Sequence, residues 1–271
     1  MKIIFFGNTK YSIIGLKTVQ AVYPILLVVT ISNSPVKNFA EKLKIPVLEA
    51  TRLDRNIIEQ ISETKPDFLL VEDYGLILPP SLLNLPKYAP LNIHHSLLPK
   101  YRGPSPAPAA ILAGDKISGV TIIKMINEVD AGDILAQQAY ALTSDETTES
   151  LLTKLNQLGG ELVTQVIKQY LNGKAKPKKQ NEVRATYCYL LKKIHGYFDI
   201  ENPPPPEVLD RMIRAYYPWP GVWTRFRQGS SGQVKIVKFL PGGMLQMEGK
   251  KAISYKDFLN GYPNFPLVFN I

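Results

Sequence analysis

Short, β-branched apolar runs alternate with longer stretches of helical spacing through the first half of the chain. Residues 2–7, 25–31, 67–71 and 91–94 read as strands, and residues 11–22, 36–43 and 54–64 carry apolar positions three and four apart, as amphipathic helices do. Strand and helix in strict alternation predict βαβ units and a largely parallel sheet, with any ligand lying beyond the carboxyl ends of the strands. Residues 119–126 and 134–142 predict two further strands with the Asp130 loop between them. A long helix is predicted over 147–171, opening with acidic residues and closing at Asn172-Gly173.

From Lys174 the pattern gives way to a basic polar stretch, Lys-Ala-Lys-Pro-Lys-Lys-Gln-Asn-Glu, which reads as the exit from a first domain. Four prolines at 203–206 form a stiff extended segment that leads into a helix ending at Tyr216. Strands over 221–227 and 233–240, a short run over 244–247 and a last helix near 254–259 complete a small β-rich unit. The predicted organisation is a catalytic domain over 1–185, a linker over 186–203 and a reduced second domain over 204–271, with no internal repeat.

Charge sharpens this division. The formal net charge is +9, yet residues 1–170 carry sixteen basic and sixteen acidic residues, and residues 171–271 carry sixteen against seven. A basic module joined to a neutral one suits a polyanionic partner, nucleic acid ahead of membrane because no basic amphipathic helix stands out. Apolar runs all fall short of the roughly 18 residues of a membrane span. The first strand begins too soon after Met1 for a secretory leader, and the single Cys188 forms no internal disulfide, so a cytoplasmic protein is expected, working as a monomer.

Candidate chemistry gathers at two places. In Asn92-Ile93-His94-His95-Ser96-Leu97-Leu98-Pro99, the i, i+2 spacing sends Asn92 and His94 to one face of a strand. Asp130-Ala131-Gly132-Asp133 places a carboxylate on a separate strand-end loop. An amide can donate to a developing oxyanion, an imidazole can move a proton near neutrality, and a carboxylate can fix and stabilise that imidazole, which together suit acyl transfer to an amine without a covalent intermediate. A shared metal is disfavoured, because adjacent His94 and His95 point to opposite faces. Gly7-Asn8-Thr9-Lys10 lacks the further glycines of a dinucleotide fingerprint or a Walker loop.

At these residues the chain resembles the folate-dependent formyltransferases, which share the Asn-x-His-x-Ser-Leu-Leu-Pro segment, the Asp-x-Gly-Asp loop and a third segment matched by Tyr74-Gly75-Leu76-Ile77-Leu78-Pro79. The resemblance implies a Rossmann-like α/β first domain with a mainly parallel sheet, and 10-formyltetrahydrofolate as formyl donor. Asn92, His94 and Asp130 fall in the catalytic positions; Tyr74, Gly75, Leu76, Ile77, Leu78, Ser96, Leu97, Leu98 and Pro99 would bind the folate; no metal is implied. Asn92 and His94 would donate to the oxyanion while Asp130 orients His94 and helps the amine lose its proton. Residues 214–221 and 250–259 are similar to the second domain of the family's tRNA-acting members, an OB-like barrel, which implies initiator methionyl-tRNA as acceptor. Lys37, Arg102, Lys178, Lys179 and Arg214 are the candidate tRNA contacts.

Three departures stand out. The connection between Ile31 and Val36 lacks the basic loop of those members, Leu240-Pro241-Gly242-Gly243-Met244 shortens the barrel so that it should stay open, and His95 and Glu72-Asp73 replace small or apolar residues. Glu72-Asp73 is expected to face solvent, the alternative being a carboxylate placed near the pterin. Alternative readings are a formyltransferase for an amino-sugar nucleotide or other small amine, and a non-catalytic RNA-binding protein on the same fold.

Overall fold

A computed structural model describes residues 1–227 and 232–266. The chain runs β1 (Ile3–Phe6), α1 (Ser12–Gln20), β2 (Ile25–Thr30), α2 (Pro35–Lys42), β3 (Val47–Glu49), α3 (Arg55–Glu63), β4 (Phe68–Val71), α4 (Pro80–Leu83), β5 (Ala89–His94), α5 (Pro106–Ala113), β6 (Ile117–Lys124), β7 (Asp133–Ala141) and α6 (Thr148–Leu171). These strands form one seven-stranded sheet in the order β3-β2-β1-β4-β5-β6-β7. The first five are parallel; β6 and β7 run antiparallel to their neighbours. A Rossmann-like α/β fold with a mainly parallel sheet is therefore present.

Alternation along the strands builds two apolar layers. Ile3, Phe5, Leu70, Leu91 and Ile93 pack with Leu16 and Val19 of α1 and Val163, Val166 and Ile167 of α6, while Ile4, Phe6, Leu69 and Val71 pack on the other face with Ile61 of α3. Helices α1 and α6 cross closely at glycines. A Cβ at Gly160 would lie 3.2 Å from Gly15 Cα and 2.8 Å from Thr18 Cβ, so a larger residue there would push the helices apart.

Two compact units are distinguished: the first comprises Met1–Pro106, Ile117–Ala141 and Leu152–Tyr189, and the second Ala107–Lys116, Leu142–Leu151 and Leu190 onward. The second contains α7 (Pro206–Ala215), β8 (Val222–Arg227), β9 (Val234–Leu240), β10 (Met244–Met247), β11 (Ile253–Ser254) and α8 (Tyr255–Gly261). Its antiparallel sheet, in the order β11-β10-β9-β8, is open among the described residues. The β8 edge is met by a parallel bridge from Tyr197 to Trp223, which covers backbone groups an open edge would expose. Its core is aromatic: the Phe265 ring lies 5.0 Å from that of Phe226 and 5.1 Å from that of Phe258. The expected second domain ends at 271; residues 267–271 lie outside the described residues.

Candidate active site

Strand β5 ends beside β4 on one side and β6 on the other, and its polar residues emerge there. Asn92 and His94 share a face, as their spacing requires, while Ile93 between them belongs to the core layer under α1 and α6. From the turn between β6 and β7, Asp130 comes in with a left-handed backbone, φ 52°. Asn92 Nδ2 donates to Asp130 Oδ1 at 3.2 Å, and the Gly103 N–H donates to Asp130 Oδ2 at 2.8 Å. That same Oδ2 lies 3.5 Å from His94 Nδ1. Three side chains separated by up to 38 residues thus meet at one carboxylate.

The imidazole's tautomer follows from its partners. His94 Nε2 lies 2.9 Å from the Tyr101 carbonyl oxygen, which can only accept, so Nε2 carries the hydrogen. Burial lowers the His94 pKa, with the Asp130 charge opposing it, and the neutral ring then offers the Nδ1 lone pair toward Asp130. The second amide hydrogen of Asn92 stays available for another acceptor.

A second acid–imidazole cluster adjoins the first. His95 Nδ1 lies 3.4 Å from Asp73 Oδ1 and His95 Nε2 3.8 Å from Glu72 Oε1; neither Glu72 oxygen has a hydrogen-bond partner. Glu72 is fully buried, which corrects the expectation that it faces solvent: a Cβ at Gly15 would collide with its carboxylate, so the glycine of α1 makes the room. Burial pushes Glu72 up to about 8, with His95 opposing. For His95, burial would lower the pKa, but Asp73 and Glu72 outweigh it and raise it to about 10. Burial would raise Asp73 too; the charge of His95 overrides it and holds Asp73 below its usual value.

This cluster braces the neighbouring loop. Thr9 Oγ1 donates to Asp73 Oδ2 at 3.3 Å, the Asn8 N–H donates to the Asp73 carbonyl at 3.3 Å, and the Asn8 amide donates to the Tyr74 carbonyl. Tyr74 and Leu78 are themselves buried in the layer beneath α3, so a ligand would meet their backbone and not their side chains. Gly75 and Ile77 are exposed, and Leu76 is partly so. Beyond β5, Ser96 and Leu98 are buried, the Leu98 N–H bonds to Thr121 Oγ1 at 3.1 Å and its carbonyl accepts from Gln137 at 2.8 Å; Leu97 and Pro99 remain partly exposed.

The five cationic candidates divide. Lys178 and Lys179 are exposed, whereas Lys37 is ion-paired with Glu49 and Arg214 bonds to Asp210 and to the Glu146 carbonyl. Arg102 is buried, its guanidinium donating to Glu182 at 2.7 and 2.8 Å and to Gln180 at 2.8 and 3.1 Å, so it supports the site from behind instead of meeting a partner. Gln180 itself donates to the carbonyls of Asp130 and Gly132. The sequence reading of 174–182 as a domain exit overlooked Gln180, and only its position among unpatterned polar residues was visible there.

Residues 18–167 match the family described as formyl transferase. The chain is 34% identical over 238 residues to the methionyl-tRNA formyltransferase of Caldanaerobacter subterraneus subsp. tengcongensis, covering 83% of this chain and 76% of that one. To the methionyl-tRNA formyltransferase of Marinobacter nauticus it is 36% identical, with 96% of each covered. Among solved structures, a 4-N formyltransferase from Francisella tularensis superposes with a TM-score of 0.71 at 20% identity, over 89% of this chain and 97% of the other, a likeness of fold. These matches establish that the chain belongs to the formyl transferase family and is an enzyme that moves a formyl group.

Proposed function

We infer that the enzyme transfers the formyl group of 10-formyltetrahydrofolate to the α-amino group of initiator methionyl-tRNA, and that Asn92, His94 and Asp130 carry the chemistry. The observation that carries this reading is the meeting of the three at Asp130, with one Asn92 hydrogen and the Nδ1 lone pair of His94 uncommitted. The free amine attacks the formyl carbon; an α-amino group titrates near pH 8, so a neutral fraction exists at pH 7. As the new C–N bond forms, negative charge grows on the formyl oxygen and Asn92 donates to it.

The attacking nitrogen must lose a proton, and the gap between His94 Nδ1 and Asp130 Oδ2 receives it. Imidazolium beside carboxylate is a stabilised pair in a water-poor site. The tetrahedral centre then collapses, the bond to the folate nitrogen breaks, and that nitrogen takes the proton, leaving tetrahydrofolate. His94 therefore acts through proton transfer, not as the oxyanion donor expected from sequence. The exposed Gly75–Ile77 turn and the partly exposed Leu97 and Pro99 suit the walls of a folate site.

For the acceptor, support comes from the relatives named methionyl-tRNA formyltransferases and from the cations of the C-terminal sheet, where Arg225, Arg227, Lys235 and Lys238 are exposed on β8 and β9. The working form is taken to be a cytoplasmic monomer; no helix among the described residues is long and apolar enough to cross a membrane. Against tRNA stands the short connection from Thr30 to Pro35, which favours an amino-sugar nucleotide as the second reading. Incubating the enzyme and 10-formyltetrahydrofolate with charged initiator tRNA and, separately, with a panel of amino-sugar nucleotides decides between them. Formylmethionyl-tRNA is the expected product; turnover of a sugar nucleotide alone overturns the acceptor assignment.

A further inference from the structure

The loop carrying Asp130 turns at that residue through a left-handed backbone, φ 52°, a conformation aspartate tolerates. Within the turn the Ala131 N–H reaches the Glu128 carbonyl over a long 3.4 Å. Its firm restraint comes from a distant part of the chain. Both hydrogens of the Gln180 amide go to loop carbonyls, those of Asp130 and Gly132, each at 2.7 Å. The Gln180 oxygen accepts from Arg102 Nη2 and Nε at 2.8 and 3.1 Å, and Arg102 is anchored in turn by Glu182. Only a carboxamide offers two donors and an acceptor in this arrangement; a carboxylate lacks the donors and an ammonium lacks the acceptor.

The same segment is tied by its backbone to the loops on both sides of the site. Ile134 and Lys178 exchange N–H···O bonds at 2.8 Å, and the N–H of Arg102 bonds to Thr186 while its carbonyl accepts from Cys188, both at 2.8 Å. Arg102 directly precedes Gly103, whose N–H holds Asp130 Oδ2. Gln180 therefore sits where the Asp130 backbone and the chain that orients the Asp130 carboxylate are fixed to one another.

We propose that Gln180 is a positioning residue for formyl transfer: its amide clamps the 130–132 turn to Arg102 and sets the distance between Asp130 and His94. This rests on the reading of Asp130 and His94 as the proton-accepting pair. Loss of the clamp lets the carboxylate retreat from the imidazole, and a misplacement of about 1 Å in such a pair costs up to about 100-fold in rate.

The test compares Gln180→Glu, which keeps size and the acceptor for Arg102 but removes both donors, with Gln180→Leu. Two quantities are read: kcat and KM for 10-formyltetrahydrofolate with methionyl-tRNA, and the titration of the His94 imidazole by NMR in the free protein, with Asp130→Asn as the reference for a lost charge. Expected are a kcat lower by about 10- to 100-fold at nearly unchanged KM and melting temperature, and a His94 midpoint moved down toward that of Asp130→Asn. Asp73 and His95, which also act on His94, are untouched by either substitution. If Gln180→Leu does not fold, Gln180→Glu decides. A His94 titration left in place, or a kcat loss that only follows a lowered melting temperature, overturns the clamp. A wild type that leaves methionyl-tRNA unformylated overturns the acceptor reading instead, and the His94 titration still decides the clamp.

Discussion

At the carboxyl end of β5 two adjacent imidazoles meet carboxylates on opposite faces of the strand. His94 lies beside Asp130, whose side chain is 12% exposed; His95 lies beside Glu72, which is fully enclosed beneath α1 and α6, and Asp73. On the first side burial prevails and the imidazole is held neutral, with a lone pair to accept a proton. On the second, the acids prevail and the imidazole is held charged through the physiological range. The same residue type one position apart is thus held neutral or charged according to how many acidic side chains face it. That difference supports the proton transfer proposed at His94 and leaves His95 to brace the Tyr74 turn.

The contrast can be broken most forcefully at its buried half. His95→Ala strips the charge partner from Asp73 and is expected to cost on the order of 3 kcal/mol in urea unfolding at pH 7. Equal stability to wild type would mean that the cluster is not an ion pair. On the other face, Asn92→Ala should lower the single-turnover rate by about 10² to 10³ with unfolding unchanged, and a near-normal rate would remove Asn92 from the oxyanion.

The pH dependence sharpens the comparison further. Glu72 is raised from 4.5 to about 8 and His95 from 6.5 to about 10, so in both cases the folded state holds a proton that the unfolded chain has released. Stability contributed by Glu72 is complete below pH 4.5 and is lost as pH rises toward 8, and that from His95 is complete below 6.5 and lost toward 10. Glu72→Gln should therefore flatten the decline between pH 5 and 8 by up to about 1.4 kcal/mol per pH unit, the effect of one proton, in unfolding curves taken at several pH values. An unaltered slope would place the titration elsewhere.

The smallest effect concerns the space beneath Glu72. Gly15→Ala should destabilise by about 1 to 3 kcal/mol through the clash with the carboxylate, although alanine is the better helix former. In a Glu72→Ala background the same change should become neutral or stabilising by up to about 1 kcal/mol. A cost that persists there would trace the clash to another neighbour.

Much of the architecture could be read from residue spacing, because α1, α2, α3 and α6 and the strands they join keep their apolar period. Two kinds of element escaped. β3 has only three residues, none fully buried, and α5 begins Pro-Ala-Pro, a pattern that looks like a loop although prolines are tolerated in a helix's first turn. Of the site, Asn92, His94 and Asp130 were legible by type and spacing. Glu72 was not, since a carboxylate in an unpatterned position defaults to solvent; its cue was the glycine in α1 that makes room for it. Gln180 lay equally hidden, because backbone pairings such as Ile134 with Lys178 impose no side-chain pattern.

Those pairings have a consequence for biosynthesis. As the polypeptide leaves the ribosome, Asn92, His94 and Asp130 all emerge at least 48 residues ahead of Lys178, and the strands that bear them can gather first. Residues 178–188, which bond to Ile134 and Arg102, emerge later. A nascent fragment halted at the end of α6 would carry Asn92, His94 and Asp130 and still lack the bonds by which Gln180 ties the 130–132 turn to Arg102 and Thr186 holds Arg102.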